Sequence, residues 1–180
     1  MQKKLHTTST DFTREFTQQL ISCFDETKPI MIAQLNILKR IYNEYFKNAP
    51  NTLKNPFIWF IQTQSYNFPI VYYAFLSRNR DDIINYLIDN GLDINTVYDN
   101  GDTLLHYACQ HYSLLIINTL IHIGVNAKIA SKGFDFTALH IFIRSLSERD
   151  NLQDCDFETL ENLCKISNIN NTHALGYTAL

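Results

Sequence analysis

Along the first third of the chain, large apolar residues recur one helical turn apart. Phe12, Phe16, Leu20 and Phe24 fall at every fourth position, which places them on one face of a helix. After Pro29, the residues Met31, Leu35, Leu38 and Tyr42 mark a second such face, with Ile37 and Ile41 beside it. Asn55 can cap a helix through its side-chain oxygen, and Pro56 suits a first turn whose amide has no partner, so a third helix is predicted over 57–63. Farther on, Leu104, Leu105, Ala108 and Cys109 share one helical face, and Leu115, Ile116, Thr119, Leu120 and Ile123 form another. Asp81 and Asp82 open a helix at the end where its dipole favours negative charge. Gly91 and Gly124 each follow a helix, where the left-handed backbone of a C-cap suits glycine.

These patterns repeat. "DINTVYDNGDTLLHYA" (93–108) aligns without a gap on "NINNTHALGYTAL" (168–180) when Ile94, Asn95, Gly101, Thr103 and Leu105 are set on Ile169, Asn170, Gly176, Thr178 and Leu180. "NAKIASKGFDFTALHIF" (126–142) carries the same pattern with two extra residues after Gly133. "IINYLIDNGLDIN" (83–95) matches "IINTLIHIGVNAK" (116–128), and Gly91 and Gly124 lie 33 residues apart. A fixed period of this length marks stacked helix pairs, none of which buries its apolar face alone.

The period, together with Thr103-Leu104-Leu105-His106-Tyr107-Ala108, resembles the ankyrin-repeat family and its T-P-L-H-x-A motif. Thr137-Ala138-Leu139-His140 keeps the motif, with Phe142 in place of its alanine, whereas Phe68 to Ala74 lacks both the Thr and the His. The resemblance implies an all-α ankyrin-repeat solenoid of about three repeats with an N-terminal helical cap. On that reading 1–65 is the cap, 66–98 a degenerate first repeat, 99–130 the second, 131–173 a third with an insertion, and 174–180 the truncated start of a fourth. The third unit is the long one, with 43 residues from Gly133 to Gly176. Most of the excess lies around "SLSERDNLQD" (145–154), and extra loop length costs little in closure entropy. The second helix of that unit is expected near 157–166, with Leu160, Leu163 and Cys164 inward and no glycine to end it. Thr-Ala-Leu alone cannot nucleate a helix, so Gly176–Leu180 is expected to be frayed or extended and the chain to be a fragment.

Composition narrows the function. Of 180 residues, 46% are apolar and 18% charged, with only five Gly and four Pro, which suits a globular helical protein. The net charge of −3 and scattered Lys and Arg do not favour nucleic acid as a partner. No run of 18 apolar residues exists, so no membrane insertion is expected. The four cysteines show no C-x-x-C spacing, and reduced thiols in a cytoplasmic setting are expected, with no metal and no cofactor. His106 and His140 are tempting catalytic candidates beside Thr103, Thr137 and Cys109. The resemblance instead implies that each Thr–His pair bonds to itself and to neighbouring backbone, so Thr103, His106, Thr137, His140, Gly91 and Gly124 are structural. With no phosphate loop or nucleophile motif, no enzyme is expected within this chain.

The resemblance implies protein–protein recognition by a monomer, through turn tips and the starts of the first helices. The candidate residues are Tyr98, Asn100, Asp102, Leu104, Tyr107, His111, Lys132, Phe134, Asp135, Phe136, Ile141 and Arg144. Tyr107 and Phe136 either contact a partner or pack between repeats. The acidic run from Glu148 to Glu161 either meets a basic partner or is a solvated face. The Asn-, Ile-, Tyr- and Lys-rich composition resembles ankyrin proteins that intracellular bacteria deliver into host cells as effectors, or those of large DNA viruses. The partner is then a host-cell protein. The alternative is the targeting half of an enzyme whose catalytic domain lies beyond residue 180.

Overall fold

The computed structural model describes residues 9–24, 32–45, 56–63, 69–77 and 80–179. Among them run nine α-helices: α1 (Ser9–Cys23), α2 (Ile32–Tyr45), α3 (Pro56–Thr63), α4 (Ile70–Leu76), α5 (Arg80–Asp89), α6 (Leu104–Gln110), α7 (Leu114–Ile123), α8 (Ala138–Ser147) and α9 (Asp154–Ile166). The chain forms two compact units, Met1–Leu92 and Asp93–Leu180.

In the first unit the four-residue spacing becomes packing. Phe16, Leu20 and Phe24 are buried, as are Leu35, Leu38 and Tyr42 of α2. Phe16, Tyr42, Phe57 and Phe60 form an aromatic cluster whose ring centroids lie between 4.9 and 6.4 Å apart. Such tilted and edge-on pairs add to the area they bury. Burial pushes the Tyr42 hydroxyl up to about 12. Below this cluster, α4 contributes Ile70, Val71, Ala74 and Phe75, and α5 contributes Ile83, Ile84 and Leu87. Two long-range hydrogen bonds tie α2 to α5 and the turn after it: Lys39 Nζ donates to Asn90 Oδ1 at 2.8 Å, and the Tyr86 hydroxyl to Asn36 Oδ1 at 2.7 Å. Ile37 and Ile41 differ from expectation, for both are exposed on the far side of α2. Met31, Asn55 and the side chains of Phe12 and Cys23 lie outside the described residues.

The second unit is two helical layers. α6 packs on α8, α7 packs on α9, and each first helix also packs on its own second helix. The inward face of α6 is Leu104, Leu105, Ala108 and Cys109. That of α7 is Ile116, Ile117 and Leu120, while Leu115, assigned inward from its spacing, is exposed. α7 stops at Gly124, whose φ of 92° lets the chain turn left-handed. The residues past each second helix repeat an Asx turn. The side chains of Asp93, Asn126 and Asn168 accept the amides of Asn95, Lys128 and Asn170 at 2.9, 3.1 and 3.2 Å.

The long unit spends its extra residues differently from expectation. Ser145–Ser147 extend α8, and Asp154 already belongs to α9, which leaves 148–153 as the loop. α9 ends on Ser167 in extended conformation, the route open to a helix without a terminal glycine. Leu163 is buried, whereas Leu160 and Cys164 are half-buried. The final segment is not frayed. His173 donates its amide to the Tyr177 carbonyl at 3.0 Å, and Thr172 and Thr178 pair across an antiparallel bridge. The same closure joins Tyr98 to Asp102 and Ser131 to Phe136, at 2.8 Å each.

The α2 face makes a direct test. Leu35→Ala is expected to lower the unfolding free energy by about 2–5 kcal/mol, since it empties a buried site. Ile37→Ser is expected to change it by less than about 0.5 kcal/mol. Urea denaturation of the two variants checks the assignment, and equal losses would overturn it.

Candidate functional site

The first two turns of the second unit are each held by a buried imidazole. The Thr103 amide donates to His106 Nδ1 at 3.1 Å, and the Thr103 hydroxyl lies 2.8 Å from the same nitrogen. Because the amide must donate, Nδ1 is the acceptor, the hydroxyl donates to it as well, and the ring proton sits on Nε2. That Nε2–H reaches the carbonyl of Phe136 at 3.0 Å, thirty residues on. One neutral ring thus caps α6 and anchors the turn that precedes α8. His140 repeats the first half: its Nδ1 lies 2.8 Å from the Thr137 hydroxyl and 3.3 Å from the Thr137 amide. Its Nε2 is buried without a hydrogen-bond partner. The Tyr177 carbonyl stands close enough to favour a protonated ring, but not in hydrogen-bonding geometry. Burial, the larger influence at both rings, lowers the pKa of His106 and of His140 below the usual histidine range.

The turn tips lie where these boxes hold them. Asn100 is exposed and bridges Asp102 at 2.7 Å and the Tyr107 hydroxyl at 3.0 Å. Tyr98 is half-buried, with its ring edge-on to Tyr107 at 5.7 Å, and burial raises its hydroxyl far above the usual tyrosine range. Lys132, Asp135, His111 and Arg144 are exposed, and Phe134 keeps 64% of its surface in solvent. Phe136 is half-buried between Phe134, at 5.8 Å, and His173, at 4.9 Å. Leu104 and Ile141 differ from expectation. Leu104, the first residue of α6, turns into the core beside Leu105, and Ile141, one turn into α8, keeps only 9% of its surface exposed at the wall of a groove.

Spacing did not single out Leu175 and Tyr177, which are 75% and 68% exposed. Their position in the third turn, equivalent to that of Phe134's neighbours, was the signal available. The Tyr177 ring lies 5.7 Å from His173, and the Ala174 amide donates to the Phe134 carbonyl at 2.9 Å. The second and third turns therefore share one exposed apolar edge.

The insertion loop is pinned rather than loose. Arg149 places its guanidinium 3.9 Å over the Tyr112 ring, which also stacks on Phe142 at 5.9 Å. Tyr112 itself has a φ of 53°, uncommon for a non-glycine residue. Of the acidic run, Asp156 is buried, and one of its oxygens accepts the Gln153 amide at 2.7 Å. The Tyr112 hydroxyl, most of all, and then that amide hold the Asp156 carboxyl below its usual range. The hydroxyl does not reach hydrogen-bonding geometry, so the amide is the firmer of the two contacts. Asp156 is accordingly a helix cap, while Glu148, Asp150, Asp154, Glu158 and Glu161 remain exposed.

Burial raises the Cys109 thiol far above its usual range, which suppresses the nucleophilic thiolate. Among the described residues, no three His, Cys, Asp or Glu side chains gather as metal ligands, and no helix is long and apolar enough to cross a membrane.

Comparison with protein-family models matches the chain to the model for ankyrin repeats (3 copies), over residues 14–129 and 70–155. No curated protein matches.

The lowered histidines set a pH dependence with a definite sign. Below about 6.5 the unfolded chain takes up protons that the folded rings resist. Stability is therefore complete above that value, falls as pH drops through it, and levels off below the depressed folded values. Urea unfolding at pH 7.5 and 5.0 is expected to show this loss. His106→Gln is expected to be less stable at pH 7.5 yet to lose less between the two conditions. An unchanged slope in the variant would exclude His106 as its source.

Proposed function

Because the chain belongs to the ankyrin-repeat family, we propose that it is a protein-recognition module that holds a partner on the turn tips of its second unit. Ankyrin repeats are generic protein–protein interaction modules, and their domains are typically non-catalytic scaffolds. The observation that carries the reading is the exposed edge of Phe134, Leu175 and Tyr177 on turns closed by backbone hydrogen bonds. Apolar side chains left in water on a rigid support lose little entropy on binding, and aromatics of this kind dominate interface energies.

At the turn tips, Lys132, Asp135 and Asn100 supply exposed polar groups, whereas His111 lies at the far end of α6. Phe136, Tyr107 and Tyr98 stand behind the edge as supports, since each spends much of its surface on a neighbouring ring. Leu104 lies too deep to touch a partner. Helices α1 to α3 serve as the cap that keeps the first repeats from exposing an apolar end.

A double variant, Phe134→Ala with Tyr177→Ala, tests the proposal. Both side chains are exposed, so stability should shift by no more than about 0.5 kcal/mol per site. Affinity capture with quantitative mass spectrometry is expected to recover proteins on the unaltered chain that the variant fails to hold. Identical recoveries with both proteins would sink the proposal.

A further inference from the structure

A groove of about 210 Å³ opens between α8 and the turn at 172–179, beside the exposed edge. Phe136, Ile141 and Ile143 give it apolar walls, and His140, Arg144 and His173 place polar groups on its lining. A dry cavity of about 150 Å³ holds a benzene molecule, so one aromatic or branched side chain fits here.

The polar groups ask for one kind of occupant. His140 is 8% exposed, and its Nε2 has no hydrogen-bond partner. Nδ1 already accepts from the Thr137 amide and hydroxyl, so Nε2 carries the proton, and the nearby Tyr177 carbonyl does not meet it in hydrogen-bonding geometry. The equivalent donor on His106 is satisfied by a backbone carbonyl at 3.0 Å. A buried donor left open costs free energy that an incoming acceptor recovers. Arg144 sits on the last turn of α8, exposed, and among the described residues it has no carboxylate partner. A donor and an unpaired cation beside an apolar recess complement an acceptor-bearing, negatively charged group attached to an apolar one.

We infer that this groove anchors an acidic segment of a partner protein, which inserts one large apolar side chain and sets a neighbouring Asp or Glu carboxylate against Arg144. The inference rests on the reading of the chain as a protein-recognition module and adds the chemistry of the partner. Phe136 and His173 line the apolar contact.

The test selects random dodecapeptides displayed on phage against the full chain. Enriched peptides are expected to carry an aromatic or branched apolar residue next to or two positions from Asp or Glu. Synthetic copies should lose on the order of tenfold in affinity for Arg144→Glu, whose exposed site leaves folding unaffected, measurable by calorimetry. Ile143→Trp, which fills the recess, should weaken the same peptides. Enrichment of Lys- and Arg-rich peptides overturns the inference, as does equal binding of acidic peptides to Arg144→Glu. Peptides that lose binding only to the Phe134→Ala and Tyr177→Ala double variant leave protein recognition standing and place it outside the groove. Failure to enrich any peptide counts against both readings.

Discussion

The bond from His106 Nε2 to the Phe136 carbonyl is the constraint on which the second unit turns. A tight turn before a helix leaves backbone donors and acceptors open, and burying them unpaired is costly. A neutral imidazole is well suited to the task, because one ring accepts on one nitrogen and donates on the other. Thr103 satisfies the accepting side and the following turn the donating side. Burial that disfavours the charged ring also keeps the single proton where the arrangement requires it. Helix start, tautomer and repeat spacing are thus three outcomes of one group.

Once the turns are set, recognition needs little more than exposure. The exposed edge carries Phe134, Leu175 and Tyr177 on backbone that is already hydrogen-bonded. The insertion after α8 follows the same logic, since Arg149 stacked on Tyr112 fixes a loop whose sequence is otherwise polar. Asp156 shows why charge patterning alone misleads. It sits in a run of carboxylates that invites an electrostatic partner, yet it is spent on capping α9.

Much of this was legible in the sequence. The Thr–His pairs and the glycine after α7 carry their mechanism in residue type and spacing, so the repeat, the helix starts and the C-cap at Gly124 could be read directly. Side-chain facing was harder. Ile37, Ile41 and Leu115 sit one position from a buried neighbour, and a rotation of 100° separates core from water. Leu104 and Ile141 err in the opposite direction, because proximity to an exposed turn does not make a first-turn residue exposed. The turn at 172–179 depends on bonds to Phe134 and between Thr172 and Thr178, which no local propensity reveals. The groove beside it is invisible to sequence for the same reason.

Gly101 has a φ of 86°, and a Cβ built there would stand 2.3 Å from the backbone nitrogen of Lys132. The first turn therefore abuts the second with no room for a side chain, and this contact sets the pitch at which successive tips are offered to a partner. Length can vary between α8 and α9, where the chain is free to bulge, but not at this point. Binding specificity in such a scaffold has two separate dials: the identity of the side chains at the tips, and the separation between tips, which glycine holds at its shortest value.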